Sequence, residues 1–172
     1  MAALATASTV ETDDVQFSMY MSQFNKNYKS LQEYTIRLIE FSKRNQDIMK
    51  FLSKPHTSYV SHNKFSDWTE AEMKFLMGYN RKKREFRPQK FFTLQPIQSV
   101  NWAQKGAVTP VQNQGICGSD WAFAVTGSIE GAHYLATHEL IDLSEQQLID
   151  CTKDFGNNGC ISGTFDPAYF YA

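Results

Sequence analysis

Apolar positions recur at helical spacing in two separate stretches of the chain, and each stretch predicts an amphipathic helix. In the first, Phe17, Tyr20, Met21 and Phe24 fall on one face. In the second, Trp121, Val125, Ile129, Ala132 and Leu135 recur every three to four residues and predict a helix over 120–137. Near the end, Phe165-Asp166-Pro167-Ala168-Tyr169 reads as an N-cap and first turn of another helix. Aromatic positions at Phe17, Tyr20, Phe24, Phe41, Phe65 and Trp68 predict a packed helical core, whereas the polar run Ala7 to Asp14 reads as a tail.

A chain of 172 residues can hold one domain or two small ones. Its formal net charge of -1 gives no reason to expect nucleic acid or an anionic membrane as partner. The exception is Arg81-Lys82-Lys83-Arg84, followed by Arg87. Alone, such a run points to a nuclear signal or an acidic partner, but its loop-like setting reads as a solvated, protease-sensitive linker. No stretch is long and apolar enough to span a bilayer. Met1 to Ala7 has small residues but lacks the basic start and apolar core of a signal peptide. Three cysteines without a histidine at ligand spacing make a poor zinc site, so neither metal nor cofactor is expected.

The densest chemistry lies in Cys117-Gly118-Ser119-Asp120-Trp121. It matches the pattern C-G-[SA]-C-[WY] at every position but the fourth, where Asp120 replaces the reactive cysteine. The segment resembles the nucleophile motif of papain-family, cathepsin L-like cysteine proteases. Hydrolysis there requires a thiolate activated by a histidine. An aspartate at a helix N-terminus keeps the negative charge that the helix end favours by about 0.3 to 1 kcal/mol, but supplies no sulfur nucleophile. The resemblance therefore implies an inactive site at Asp120. Gln114, six residues upstream, takes the position of the glutamine that builds the oxyanion hole. The run from Trp102 to Gly115 resembles the mature N-terminal segment of the family.

The same resemblance implies a disulfide between Cys117 and Cys160. It would close a loop of about forty residues, worth roughly 3 to 4 kcal/mol on the chain-entropy model. Cys151 is left over, its family partner falling further along such a chain than Ala172. Cys160-Ile161-Ser162-Gly163 departs from the family's C-N-G-G at Ile161 and Ser162. Gly163 matches the glycine that offers its backbone to substrate, and a substrate-binding role is implied for it and for Trp121.

Residues upstream resemble the inhibitory propeptide of this family. Glu33, Arg37, Phe41 and Ile48 match its interspersed pattern on a helix drawn from about 31 to 52, while Arg44 and Leu52 replace its asparagines. Glu33 and Arg37, four apart, can pair. Ser61-His62-Asn63-Lys64-Phe65-Ser66-Asp67 repeats G-x-N-x-F-x-D with only the glycine changed, which singles out Asn63, Phe65 and Asp67. An extended tail is expected over about 78–97, running through the cleft opposite to a substrate.

The implied organisation is a propeptide over 15–97 and an incomplete peptidase part over 98–172. The implied fold is mostly α, from an α+β family: the helical propeptide plus the N-terminal helical part of a papain-like domain. The family's second half would supply the histidine and asparagine of the triad. None of His56, His62, His133 and His138 occupies a matching motif. The implied partners are the chain's own peptidase part, bound by its propeptide, and a protein covering the unfinished half-domain. Family precursors are lysosomal, vacuolar or secreted, and a disulfide needs an oxidising compartment. Three functional readings follow. One is a catalytically inactive protease homologue in its proprotein form. Another is a non-enzymatic structural or binding subunit of a larger assembly. The last is an inactivated form of an active zymogen, or a propeptide-type protease inhibitor.

Overall fold

The computed structural model describes residues 3–80 and 99–172, with side chains from residue 13 onward. The basic run from Arg81 to Arg87 and the expected tail beyond Asn80 lie outside the described residues. Six α-helices are described: α1 (Ala3–Gln23), α2 (Leu31–Leu52), α3 (Glu70–Phe75), α4 (Asp120–Thr137), α5 (Glu145–Cys151) and α6 (Phe165–Tyr171). No strand occurs among the described residues, only isolated bridges pairing Tyr79 with Gly163 and Asn158 with Ser162. Two compact units divide the chain after Met73.

In the first unit, α1 and α2 pack through an aromatic core. Phe17, Tyr20 and Phe41 are buried, with Met21, Phe24, Tyr28, Tyr34 and Leu38 against them. The Phe17 and Phe41 rings lie 5.2 Å apart. Burying such a side chain contributes about 1.5 to 3 kcal/mol, so these rings supply most of what holds two otherwise polar helices together. Ser30 starts α2, its hydroxyl accepting from the Glu33 amide at 3.1 Å, while Glu33 accepts from the Lys29 amide at 3.0 Å. The expected bounds of α2 coincide with the observed ones. For α1 they do not: the run from Ala7 to Asp14, read as a tail, continues the helix upstream to Ala3. It holds neither glycine nor proline to stop the helix.

In the second unit, Trp121, Ala122 and Val125 of α4 pack on Leu148 and Ile149 of α5 and Ala168 of α6. The predicted bounds of α4 hold, but its buried face is corrected. Ala132 and Leu135 are exposed, and Thr126 and Glu130 are buried instead. Thr126 turns inward to donate to Glu145 of α5 at 2.8 Å, and Glu130 is enclosed by the chain at Thr109 and Leu143. Glu130 accepts from the Thr109 hydroxyl at 3.0 Å and the Leu143 amide at 2.9 Å, so its burial is hydrogen-bonded. Cys117 and Cys160 are disulfide-bonded across 43 positions, tying the approach to α4 to the loop before α6.

Candidate functional site

Asp120 is the first residue of α4, where the motif reading places it. Among the described residues, its Oδ1 and the neighbouring Ser119 Oγ are buried without hydrogen-bond partners. Around them, Gly118 donates its N–H to Cys160 O at 3.0 Å, which locks the motif backbone to the disulfide loop. Gln114 Nε2 donates to Cys117 O at 2.7 Å and to Leu76 O at 2.9 Å. The amide assigned to an oxyanion thus holds a backbone carbonyl of the segment that follows α3.

That segment, Leu76 to Asn80, leaves the turn that ends α3 and pairs with Gly163. Gly163 N donates to Gly78 O at 2.9 Å, and Asn80 N donates to Gly163 O at 2.9 Å. The resulting bridge between Tyr79 and Gly163 is parallel. Steric fit explains both glycines. A Cβ on Gly78 would stand 1.7 Å from Gly118 O, and one on Gly163 would stand 2.4 Å from the Trp121 ring. Trp121, expected at the substrate, is instead completely buried, donating from Nε1 to Gly159 O at 3.3 Å. Its ring sits in the α4–α5–α6 core, directly beneath Gly163.

Tyr79 stacks on Phe165 with centroids 4.3 Å apart. A cavity of about 350 Å³ opens beside this stack, lined by Tyr79, Asn80, Phe155, Phe165, Pro167 and Phe170. The sequence reading missed Tyr79 and Phe165 as site residues. Their only local signal was two aromatics flanking glycines at 78 and 163. Ile161 points to solvent with 75% exposure. Within this unit, His133 and His138 lie 13 and 18 positions along α4 from Asp120. At 1.5 Å per residue they are roughly 20 and 27 Å away, out of reach of a proton at Asp120. Among the described residues, no group of His, Cys, Asp and Glu is arranged to hold a metal ion, and no helix is long and apolar enough to cross a membrane.

The pattern residues of the first unit form a separate polar network. Asp67 is 1% exposed and accepts from Tyr20 at 2.7 Å, from Tyr28 at 2.8 Å and from Lys26 at 2.8 Å. Burial works against its charge, but these donors outweigh it and hold the carboxyl below its ordinary value. Burial and the Asp67 carboxylate push both tyrosine hydroxyls up. Arg37 lies 4.0 Å from Glu33, the partner expected from spacing. Its stronger contact is bidentate with Glu72, with one arm at 2.7 Å, and a third bond reaches Asp67 O at 3.2 Å. The guanidinium brings Glu72 down to about 2, while Glu72 raises Arg37. Glu72 is oriented by Thr69 in a reciprocal cap at the start of α3. Asn63 shapes the turn by accepting from Phe65 N at 2.9 Å, and the Phe65 ring meets Trp68 edge-on at 5.0 Å. Ile48 is half-buried on α2.

Comparison with known proteins adds the lineage. Residues 96–172 match the model for papain family cysteine protease, and residues 17–73 match that for the cathepsin propeptide inhibitor domain (I29). The chain is 38% identical over 176 aligned positions to digestive cysteine proteinase 3 of Homarus americanus, covering 98% of this chain and 53% of that protein. It is 35% identical to procathepsin L of Rattus norvegicus, covering 98% and 52%. The solved structure of digestive procathepsin L 3 from Tenebrio molitor larval midgut superimposes with a TM-score of 0.71 at 32% identity, covering 92% of this chain and 53% of that one. The procathepsin L2 from the same source gives 0.77 at 28% identity, covering 92% and 55%. The chain spans about half the length of the curated relatives it matches.

Proposed function

Residues 96–172 belong to the papain family of cysteine proteases and residues 17–73 are its cathepsin propeptide inhibitor domain, and on that footing we propose that this precursor's peptidase site does not hydrolyse peptides. The reading is of a cathepsin L-like proprotein kept as a pseudoenzyme, with a propeptide over 15–97 and the peptidase part from 98. The observation that carries it is Asp120 at the first position of α4, inside an otherwise intact setting of Gln114, the Cys117–Cys160 bridge and Gly163. A carboxylate there retains the charge favoured by the helix end but forms only a mixed anhydride if it attacks a peptide, a poor intermediate. In this reading Gln114 and Gly163 keep the geometry of an oxyanion donor and a peptide-pairing edge, occupied by the chain's own Leu76–Asn80 segment. A lysosomal, vacuolar or secreted location accords with the disulfide. The test is hydrolysis of a fluorogenic peptide amide by the full chain, in the presence and absence of limited proteolysis to remove the tail. No turnover above buffer is expected. Turnover that Asp120→Asn abolishes would overturn the proposal.

The seated Leu76–Asn80 segment also favours a second reading, in which the propeptide part inhibits an active relative in trans. Full chain added at micromolar concentration to a cathepsin L-like protease should then suppress its activity, and an unaffected protease rejects the idea. A third proposal rests on exposed apolar side chains: Trp102, Val108 and Leu135 are 46%, 54% and 61% exposed on one side of the second unit. Such a face suits a protein partner in a larger assembly. Co-purification from the native source checks it, and recovery as a lone soluble monomer counts against it.

A further inference from the structure

We propose that Asn158 is a self-modifying site, where the backbone nitrogen of Gly159 displaces ammonia from the asparagine side chain and leaves isoaspartate in the loop that carries Gly163. Two asparagines stand side by side in Asn157-Asn158-Gly159. The structure separates them. Asn157 is 4% exposed and both ends of its amide are engaged: Nδ2 donates to Thr152 Oγ1 at 3.1 Å, and Oδ1 accepts from Thr164 N at 2.8 Å. Asn158 is exposed, and among the described residues its side chain makes no hydrogen bond. Its Cγ is therefore free to turn onto the backbone.

The attacking atom is the nitrogen of the following residue, and any side chain there crowds it. Gly159 has none, and Asn158 is the one asparagine of the chain that glycine follows. Among the described residues that nitrogen donates no hydrogen bond, so none is lost when it gives up its proton. The fold also requires the glycine. Its φ is +55°, and it is the second residue of the turn that Ile161 N closes on Asn158 O at 3.0 Å. The residue that makes the turn is thus the one that opens Asn158 to attack.

The step balances with water as the only added reactant. A bond forms from Gly159 N to Asn158 Cγ, the Cγ–Nδ2 bond breaks, and the proton of Gly159 N leaves with the side-chain nitrogen as ammonia. The product is a five-membered imide. Water opens it on either side: breaking the bond to Cγ gives aspartate, and breaking the bond to the Asn158 carbonyl carbon gives isoaspartate, with the chain running through the former side chain. Isoaspartate lengthens the backbone by one carbon, about 1.5 Å. That length falls in a pinned stretch. Asn158 N donates to Ser162 O at 2.7 Å, Gly159 O accepts from Trp121 Nε1 at 3.3 Å, and Cys160 is held by its disulfide and by Gly118 N. The turn does not absorb an extra carbon with all these ties intact. Beyond it stands Gly163, whose N–H is covered by Gly78 O at 2.9 Å, and isoaspartate uncovers that amide.

The test incubates the full, disulfide-intact chain in mildly alkaline buffer made with oxygen-18 water. Peptide mapping follows every asparagine, an isoaspartyl methyltransferase scores the iso product, and amide exchange reads Gly163. Position 158 should convert first and take up heavy oxygen from the solvent, while Asn157 stays an amide. Loss of protection at Gly163 should appear only in chains that carry isoaspartate. Asn158→Gln, whose longer side chain disfavours the five-membered ring, should form no product at 158 and keep its Gly163 protection through the same incubation. An unmodified Asn158 after a free Asn-Gly peptide in the same buffer has fully converted overturns the proposal, as does conversion of Asn157 at an equal rate. Parent exchange at Gly163 in the isoaspartate chain overturns the effect on the loop.

Discussion

Adding one methyl group at Gly78 should unseat the segment that occupies the candidate cleft. The new Cβ would stand 1.7 Å from Gly118 O, 2.5 Å from Gly118 C and 3.1 Å from Asp120 Oδ1. Gly118 cannot retreat, because its N–H is bonded to Cys160 O at 3.0 Å and its neighbour Cys117 is disulfide-bonded. The segment must therefore lift. Lifting gives up Gly163 N to Gly78 O, Asn80 N to Gly163 O, and Gln114 Nε2 to Leu76 O, each at 2.9 Å. At about 0.5 to 1.5 kcal/mol net per bond, the loss of three bonds is about 1.5 to 4.5 kcal/mol. That raises the local opening constant by at least about tenfold, and by about 1,500-fold at the upper end. The readout is amide exchange at Gly163, whose N–H is covered by Gly78, in Gly78→Ala against the parent. Gly127→Ala is the control, since nothing lies within 4 Å of a Cβ there. If Gly163 exchanges at the parent rate in a folded Gly78→Ala chain, the segment is not seated by this close approach and the reasoning fails.

Three further outcomes are expected. Asp67→Asn leaves the Lys26 ammonium without its counter-charge beside two buried tyrosines and should destabilise the first unit by about 3 kcal/mol in a denaturant melt; a change within experimental error would show the network to be ornamental. Glu72 is depressed from 4.5 to about 2, so its contribution is present above pH 4.5 and fades as pH falls toward 2. Glu72→Gln should flatten the acid limb of the first unit's stability curve in that window, and an unaltered limb contradicts the Arg37 pairing. Gly163→Ala drives a Cβ to within 2.4 Å of the Trp121 ring and should cost about 1 to 3 kcal/mol of second-unit stability by overpacking, read as a lowered thermal midpoint; a neutral substitution would mean that Trp121 is free to move.

Local chemistry was legible along the chain. Hydrophobic periodicity set α4, and the family's propeptide pattern drew α2. The family pattern carried the Cys117–Cys160 pair and pointed to Asp120, Gln114 and Gly163 as neighbours. The tail-like reading of residues 7–14 failed for a related reason: polarity was weighed above the absence of helix breakers.

What the sequence by itself determined is that 120–137 is helical, that 31–52 fits a helical family pattern, and that Asp120 stands where a thiolate would be needed. Only the tertiary structure decided who meets whom. Arg37 takes Glu72, 35 positions away, as its bidentate partner over Glu33 at helical spacing. Asp67 is enclosed by Tyr20, Lys26 and Tyr28, and Gln114 holds Leu76 O from 38 positions away. Trp121 is turned down beneath Gly163 and not outward to a ligand. Periodicity reports the face of an element, but partners across long loops are chosen by packing, where close approach and buried hydrogen bonds select among side chains that look equivalent in one dimension.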